Sequence, residues 1–330
     1  MTGCHVKIAL ALIPSIALAA LGSQTSQRNA VSYAWDRVLE RGSGCWVDRL
    51  ESCAPDQWPI AHDPVLGPGG KLWMVGQGLG SEWVWSSSDG RTWERSPSDA
   101  AWGERYGMTV TFFAGQLWAM GGTQQTNAEF RNDVWVSRDG QHWEQVLREA
   151  PWSPRRWHAV TVFDGSLWLL GGSDGQDRND VWSSRDGRTW IPRLESTAWS
   201  PRGGHVALVH GGKLWILGGG GWDRPLNDVW SSLDGVNWQQ ESARAPWPGR
   251  VHFGAEVFDG RMWIVGGAER NDVWSSTDGI DWQPTDRPPW GPRTSNATVV
   301  FQDGIWLHGG KTGTSETVAD EVWRMRRARS

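Results

Sequence analysis

The sequence predicts an all-β fold: a six-bladed β-propeller of four-stranded antiparallel blades, closed by an N-terminal strand in the last blade. Three observations predict it. Twenty-four of the 28 tryptophans fall on a lattice that repeats six times. The repeat runs 43–50 residues, the range in which propeller blades occur. Each unit also carries two Asp-Gly-type hairpin signals, which divide it into four short strands.

The lattice has four positions. One Trp precedes a paired glycine: Trp73, Trp118, Trp168, Trp215, Trp263 and Trp306. A second lies in Asp-Val-Trp or a variant: Trp85, Trp135, Trp182, Trp230, Trp274 and Trp323. A third closes Asp-Gly-x-x-Trp: Trp93, Trp143, Trp190, Trp238 and Trp282, with Trp46 as a degenerate sixth. A fourth opens Trp-x-x-Arg: Trp102, Trp152, Trp199, Trp247 and Trp290, with Trp58 as a sixth that lacks the Arg. Trp35, Trp83, Trp157 and Trp222 lie off the lattice.

Residues 155–190 show how one unit becomes four strands. His158–Phe163 is apolar and β-branched, a buried strand, and Asp164-Gly165 is a two-residue hairpin turn. Ser166–Leu170 is the second strand. It ends at Gly171-Gly172, where two residues without Cβ permit a tight bend and close backbone approach. Asp180–Ser184 is the third strand, Asp186-Gly187 the second hairpin turn, and Arg188–Ile191 the fourth strand.

These residues resemble the kelch repeat. The resemblance lies in Pro154, Arg155 and His158, the Gly-Gly after strand two, Asn179–Trp182 and Trp190, repeated over about residues 44–323. It departs by using Trp where many kelch repeats carry Tyr. The run Ser184–Trp190 is also similar to the Asp-box of sialidases, one residue short. That box is a structural turn and implies no sialidase chemistry.

The last repeat stops after Trp323 without its own Asp-Gly-x-x-Trp strand. Residues 44–52 align with 189–196 through a shared Arg-Leu-Glu-Ser, so residues 44–52 are expected to complete the sixth blade. Such closure leaves no long exposed sheet edge. The organisation expected is a signal peptide over 1–22, a lead-in over 23–43, the propeller over 44–323 and a solvated basic tail over 324–330.

The signal peptide is read from Lys7, an apolar run of 14 residues from Ile8 to Leu21, and small residues at Ala17–Ala19 or Ala20–Gly22. The run is short for a membrane-spanning helix, which needs about 20 residues. Export to a periplasmic or extracellular space is therefore expected, with no membrane span in the mature chain. In that oxidising setting Cys45 and Cys53 favour a disulfide over two buried thiols. Closing so small a loop contributes about 2–3 kcal/mol by chain entropy.

A net charge of −5 with both signs interspersed excludes a basic nucleic-acid footprint. No phosphate-binding glycine loop precedes a helix, and the eight histidines have no metal-ligand spacing, so no cofactor and no metal are expected. The tyrosine–histidine copper site of galactose oxidase has no counterpart, because Tyr33 and Tyr106 are the only tyrosines. The tyrosine nucleophile and arginine triad of a sialidase cannot be assembled either. His158 and His205 occupy the repeat's own His position and read as core or channel packing.

Spacing separates scaffold from site. From third-strand Trp to fourth-strand Trp is eight residues in all five complete cases. The stretch from the second glycine to the third-strand Trp is 8, 13, 10, 11, 7 and 13 residues. Variable loops on a rigid scaffold carry function disproportionately, which places the site on the face of the strand 2–3 loops, at the mouth of the central channel.

That face carries the repeat's arginines Arg105, Arg155, Arg202, Arg250 and Arg293, an additional Arg156, and the off-lattice Trp83, Trp157 and Trp222. Blade one has Ala61 in place of the arginine. Two readings of the arginines stand. They form a ring that binds a carboxylate, sulfate or phosphate, or each packs over its neighbouring Trp and satisfies loop carbonyls. In kelch domains arginines at this position help line the ligand pocket. The expected function is non-catalytic recognition of a glycan or protein partner, an anionic one among the options, by a monomeric propeller.

The alternative is a cofactor-independent sugar isomerase at the same mouth. Its acid and base would be Glu269 and Arg270, in a short loop similar to that of the exported bacterial sialic-acid mutarotases.

Overall fold

The computed structural model describes residues 31–39, 64–75, 83–103, 105–124, 129–221, 223–312, 317–319 and 321–328. Within them the chain forms six four-stranded antiparallel sheets. Blade one is Val65–Leu66, Leu72–Val75, Trp83–Ser87 and Glu94–Pro97. Blade two is Thr109–Phe113, Gln116–Met120, Val134–Ser137 and Glu144–Leu147. Blade three is Ala159–Phe163, Ser166–Ser173, Asp177–Ser184 and Ile191–Leu194. Blade four is Val206–His210, Lys213–Leu217, Val229–Ser232 and Trp238–Ser242. Blade five is Gly254–Phe258, Arg261–Val265, Val273–Ser276 and Gln283–Pro284. Blade six is Ala297–Phe301, Gly304–His308 and Val322–Arg327, with Tyr33–Leu39 as its fourth strand.

Each inner strand packs against the inner strands of both neighbouring blades, and Ala297–Phe301 of blade six returns to Val65–Leu66 of blade one. The ring is closed around a channel. In blades three, four and five the first hairpin is made by residues that tolerate left-handed backbone, whereas Ala114 and Gln302 enter it in blades two and six. Asp164 and Gly165 have φ of 47° and 64°, the pattern of a type I′ turn, whose twist matches that of the strands it joins.

The second-strand Trp joins one blade to the next. Its indole Nε1 donates to a carbonyl five residues earlier, as in Trp168 to Phe163 O at 3.0 Å and Trp306 to Phe301 O at 2.9 Å. Its ring lies flat against the box glycine of the following blade. A methyl group on Gly140 would collide with Trp73, one on Gly187 with Trp118, one on Gly235 with Trp168 and one on Gly279 with Trp215. Gly90 of blade one meets Trp306 of blade six in the same way and completes the circuit. The box turn that presents each glycine is self-capped. Asp186 Oδ1 accepts the amides of Arg188 and Thr189 at 2.8 and 2.7 Å, and Ser184 Oγ accepts that of Gly187 at 2.8 Å.

Closure by an N-terminal strand holds, but the strand is not the one expected. Tyr33–Leu39 pairs antiparallel with Val322–Arg327. Trp35 stands opposite Met325, two residues beyond the third-strand Trp323. Trp238 of blade four likewise stands opposite Ser232, two beyond Trp230. Trp35 meets Trp290 edge-on at 5.6 Å, as Trp238 meets Trp199 at 6.0 Å. Tyr33 sets its ring edge-on against Trp263 at 4.6 Å, where the other blades place a box glycine. Trp35 is thus the sixth fourth-strand Trp, and residues 33–39 are not a lead-in.

The alignment of residues 44–52 was misleading because fourth strands are the exposed rim of the blade. Arg193-Leu194-Glu195-Ser196 is mostly solvated, so core packing does not dictate its sequence. Residues 44–52, including Cys45, Trp46 and Cys53, lie outside the described residues, as do Trp58 and Ala61. The basic tail is also corrected: Arg324, Arg326 and Arg327 belong to the third strand of blade six. Arg326 pairs with Asp36 of the closing strand at 2.8 Å, and Arg324 lies over the Trp306 ring at 5.5 Å.

Trp35→Ala is expected to lower stability by about 2–4 kcal/mol, as truncation of a part-buried indole does. Urea unfolding followed by tryptophan fluorescence checks it. An effect below about 0.5 kcal/mol, the range of an ordinary surface substitution, would remove Trp35 from the core of blade six.

Candidate functional site at the channel mouth

The five repeat arginines are spokes of the scaffold, not a ligand ring. Arg105, Arg155, Arg202, Arg250 and Arg293 are each at most 2 % exposed. Each reaches the acid two residues before the third-strand Trp. Arg155 holds Asp180 at 2.6 and 2.8 Å, Arg202 holds Asp228 at 2.8 Å with both nitrogens, and Arg250 holds Asp272 at 2.9 and 2.8 Å. Arg105 does the same with Asp133, and Arg293 holds Glu321 through one bond of 2.6 Å. Each also donates to the first carbonyl of the paired glycine, as Arg155 does to Gly171 O at 2.9 Å.

Ser153 completes the donor count of Arg155, and Ser200 that of Arg202, so all five N–H groups of each are used. Arg202, Arg250 and Arg293 lie 5.7, 5.8 and 5.2 Å from the ring of their own Trp-x-x-Arg indole. The reading in which they pack and satisfy loop carbonyls is therefore the one that holds.

The acids do double duty. Asp133, Asp180, Asp228 and Asp272 each also accept the third-strand indole N–H at 2.8 Å. Burial opposes ionisation of Asp180, yet the hydrogen bonds and charge of Arg155 outweigh it and hold the carboxyl below the usual range. The preceding Asn clamps the loop. Asn227 Nδ2 donates to Ala245 O and Trp247 O at 2.9 and 3.1 Å. In blade one the arginine is absent (Ala61), and Trp83 stands where the other blades put the acid. Both halves of the pair are missing together, as a buried ion pair requires.

Two residues beyond each spoke arginine the backbone turns left-handed: Gly107 at φ 67°, Trp157 at 56°, Gly204 at 60°, His252 at 51° and Ser295 at 53°. Their peptides form a chain across blades two to six. Trp157 N donates to Gly107 O, Gly204 N to Trp157 O, His252 N to Gly204 O and Ser295 N to His252 O, at 2.9–3.0 Å. Because these residues immediately precede the inner strands, the chain is a collar at one opening of the channel.

The collar gathers the candidate site. Arg156 is half-buried and sits over three aromatic rings, 3.7 Å from the Trp157 centroid and 5.5 Å from those of Tyr106 and Phe130. Its Nη1 donates to Tyr106 OH at 2.8 Å. Among the described residues its Nε has no hydrogen-bond partner, and no carboxylate pairs with it. Trp157 meets His252 edge-on at 4.9 Å. Burial, and then the charge of Arg156, push the His252 imidazole down to about 4, so it is neutral at physiological pH. Asp177 and Trp157 both border Gly203. Burial raises the Asp177 carboxyl, the Ser173 hydrogen bond opposes that shift, and Asp223 adds to it by repulsion.

Arg156 and Trp157, neighbours in the chain, both stand at the collar. His252 and Asp177 were missed. His252 holds the same place in its repeat as Trp157 does, a correspondence that gains meaning only once the collar is formed. Trp222 lies outside the described residues, and for Trp83 only the backbone is described. Glu269 is exposed on a turn whose central residues Ala268 and Glu269 have φ of 48° and 58°, and Arg270 N donates to Gly267 O at 3.0 Å. Among the described residues no three His, Cys, Asp or Glu side chains converge as a metal site would need.

The KLHDC2/KLHL20/DRC7 Kelch-repeats domain model matches residues 107–310. No curated protein matches the chain. Among solved structures the chain is similar to one titled "Structure of YjhT", with a TM-score of 0.64 and 14% sequence identity over 79% of this chain and 93% of that one. At that identity the likeness shows the fold alone.

Two predictions separate scaffold from site. Arg202→Ala strands the Asp228 carboxylate and is expected to cost about 3–5 kcal/mol, with Arg202→Ala/Asp228→Ala losing less than the sum of the singles. Arg156→Ala strands no buried acid and is expected to cost about 1 kcal/mol, the scale of a partly exposed cation–π contact. Urea denaturation of the four variants measures both.

A third prediction concerns pH. Burial pushes His158, His205 and His308 each down to about 3, so they stay neutral in the fold while the unfolded chain protonates near 6.5. The unfolded state then binds more protons below 6.5. Stability is undiminished above that pH and falls as pH drops towards 3, by up to about 1.4 kcal/mol per unit for each histidine. Urea midpoints at pH 7.5 and 5.5 check it; equal midpoints would refute it.

Proposed function

The chain belongs to the kelch-repeat family, and from that premise we propose that it is an exported, non-catalytic binding scaffold for an anionic glycan or protein. Binding takes place at the mouth bearing the strand 2–3 loops. The observation that carries this reading is Arg156. The spoke arginines are neutralised inside the scaffold, whereas Arg156 has no carboxylate partner among the described residues and is held in place by three aromatic rings. A preorganised guanidinium with unused donors is suited to bidentate recognition of a carboxylate or sulfate. Kelch propellers are in general interaction scaffolds, which agrees with this use of the face.

A thermal-shift screen of residues 23–330 against neutral and acidic saccharides and acidic peptides tests the proposal. An acidic ligand is expected to raise the midpoint, since a hundredfold excess over Kd is worth about 2.7 kcal/mol. The shift should vanish in Arg156→Ala and survive in Glu269→Gln. A shift that survives Arg156→Ala would place the ligand elsewhere. Sugar turnover abolished by Glu269→Gln would replace the scaffold with an isomerase at the same mouth.

A further inference from the structure

Charges at this mouth are paired almost everywhere, which sets Asp177 apart. Around it Arg155 is committed to Asp180, Arg178 to Asp174 and Arg202 to Asp228. Asp177 is half-buried, accepts a hydrogen bond from the Ser173 side chain, and enters no salt bridge among the described residues. Burial, with added repulsion from Asp223, holds its carboxyl above the usual range despite that bond, so no cation compensates it. Leaving a half-buried acid without a cation costs stability.

The half-buried cation without an acid stands two strands away. Arg156 and Ser173 exchange backbone hydrogen bonds of 2.9 and 2.8 Å, and Ser173 stands opposite Asp177 in turn. The two uncompensated charges are therefore separated by two strand spacings, about 10 Å between Cα atoms. Trp157 borders both. Its ring lies 3.7 Å from the Arg156 guanidinium, and its Cβ and Asp177 Oδ1 stand 3.6 and 3.5 Å from where a methyl group on Gly203 would be.

Gly203 keeps that space open. Its backbone is outside the left-handed region, and an added methyl group would meet nothing closer than 3.5 Å. Neither conformation nor packing demands glycine there. Blades two, three, five and six carry Tyr106, Arg156, Val251 and Thr294 at the same place, directly after the spoke arginine. In blade four the missing side chain leaves Asp177 and Trp157 uncovered on that side, and backbone left bare in this way permits close approach of a ligand.

We propose that the mouth between blades three and four binds a zwitterion, an acid that carries an ammonium group several bonds from its carboxylate. Arg156 takes the carboxylate, Asp177 takes the ammonium, and the apolar spacer lies along Trp157 above Gly203. This rests on the anion site proposed above and adds the cation-binding half that decides which acids are accepted. Each end of such a ligand supplies the countercharge that the fold withholds.

Calorimetry on the purified protein with 6-aminohexanoate tests the proposal, with hexanoate and hexylamine as counterparts bearing one charge each. The zwitterion is expected to bind at least about tenfold more tightly than either, the scale of a charge-assisted hydrogen bond. Asp177→Asn should bring 6-aminohexanoate down to the affinity of hexanoate and leave hexanoate no weaker. It should also melt at the same temperature or higher, because an uncompensated charge is removed. Arg156→Ala should abolish both acids. Gly203→Thr, which copies blade six, should keep its melting temperature and weaken 6-aminohexanoate about tenfold. Equal affinities for 6-aminohexanoate and hexanoate in the unaltered protein would overturn the zwitterion and leave the anion site standing. So would an Asp177→Asn protein that binds 6-aminohexanoate unchanged, or one that melts several degrees lower and so makes Asp177 structural. Unchanged binding in Gly203→Thr would refute a ligand lying over Gly203. No binding of either acid would remove the anion site and the zwitterion together.

Discussion

The indole of each second strand lies on the box glycine of the next blade, and most of the architecture depends on that contact. It explains why the glycines are confined to one place in the box, where any Cβ would enter the indole ring. It explains why no blade is complete alone, since half of each contact belongs to a neighbour. The contact passes around the circuit until Gly90 meets Trp306. At blade six the chain has no box of its own, and Tyr33 of the closing strand takes the place of the glycine against Trp263. The closing strand is therefore a packing element as well as a hydrogen-bonding one.

The arginine spokes play a different part. Each ties the loop before an inner strand to the bend after the second strand and to the acid that opens the third. Three loops that would otherwise move independently are fixed to one guanidinium. The charge is consumed in doing so, which is why a ring of five arginines at a channel mouth is not an electropositive ring. Blade one lacks Arg and acid alike, as expected if an uncompensated buried partner is worse than neither. Arg156, which lies outside the repeat, has no carboxylate partner among the described residues.

The mouth then combines rigidity with strain. A collar of left-handed residues gives a fixed rim, and two of its five described positions hold a bulky ring where glycine would be easier. Glycine takes the same left-handed position in blades two and four, and Ser295 in blade six. Trp157 and His252 meet edge-on at 4.9 Å in that rim, beside the Arg156 guanidinium.

Local pattern alone determined the blade count, the strand order and the hairpins of this protein. Tryptophan spacing and Asp-Gly turns are short-range signals that each blade repeats, so every copy confirms the others. The identity of the closing strand was decided by tertiary structure, because a rim strand is solvated on its outer side. Its sequence then carries no core pattern, and Trp35 is recognised only by its register against Met325 and its contact with Trp290. The role of the arginines was decided in the same way. Trp-x-x-Arg reads equally as spoke or ligand until Asp133, Asp180, Asp228, Asp272 and Glu321 are seen to close on the guanidinium from 22 to 28 residues away. His252 was hidden for a related reason. A single histidine means little in sequence, and its place in the collar exists only once five blades bring their loops to one axis.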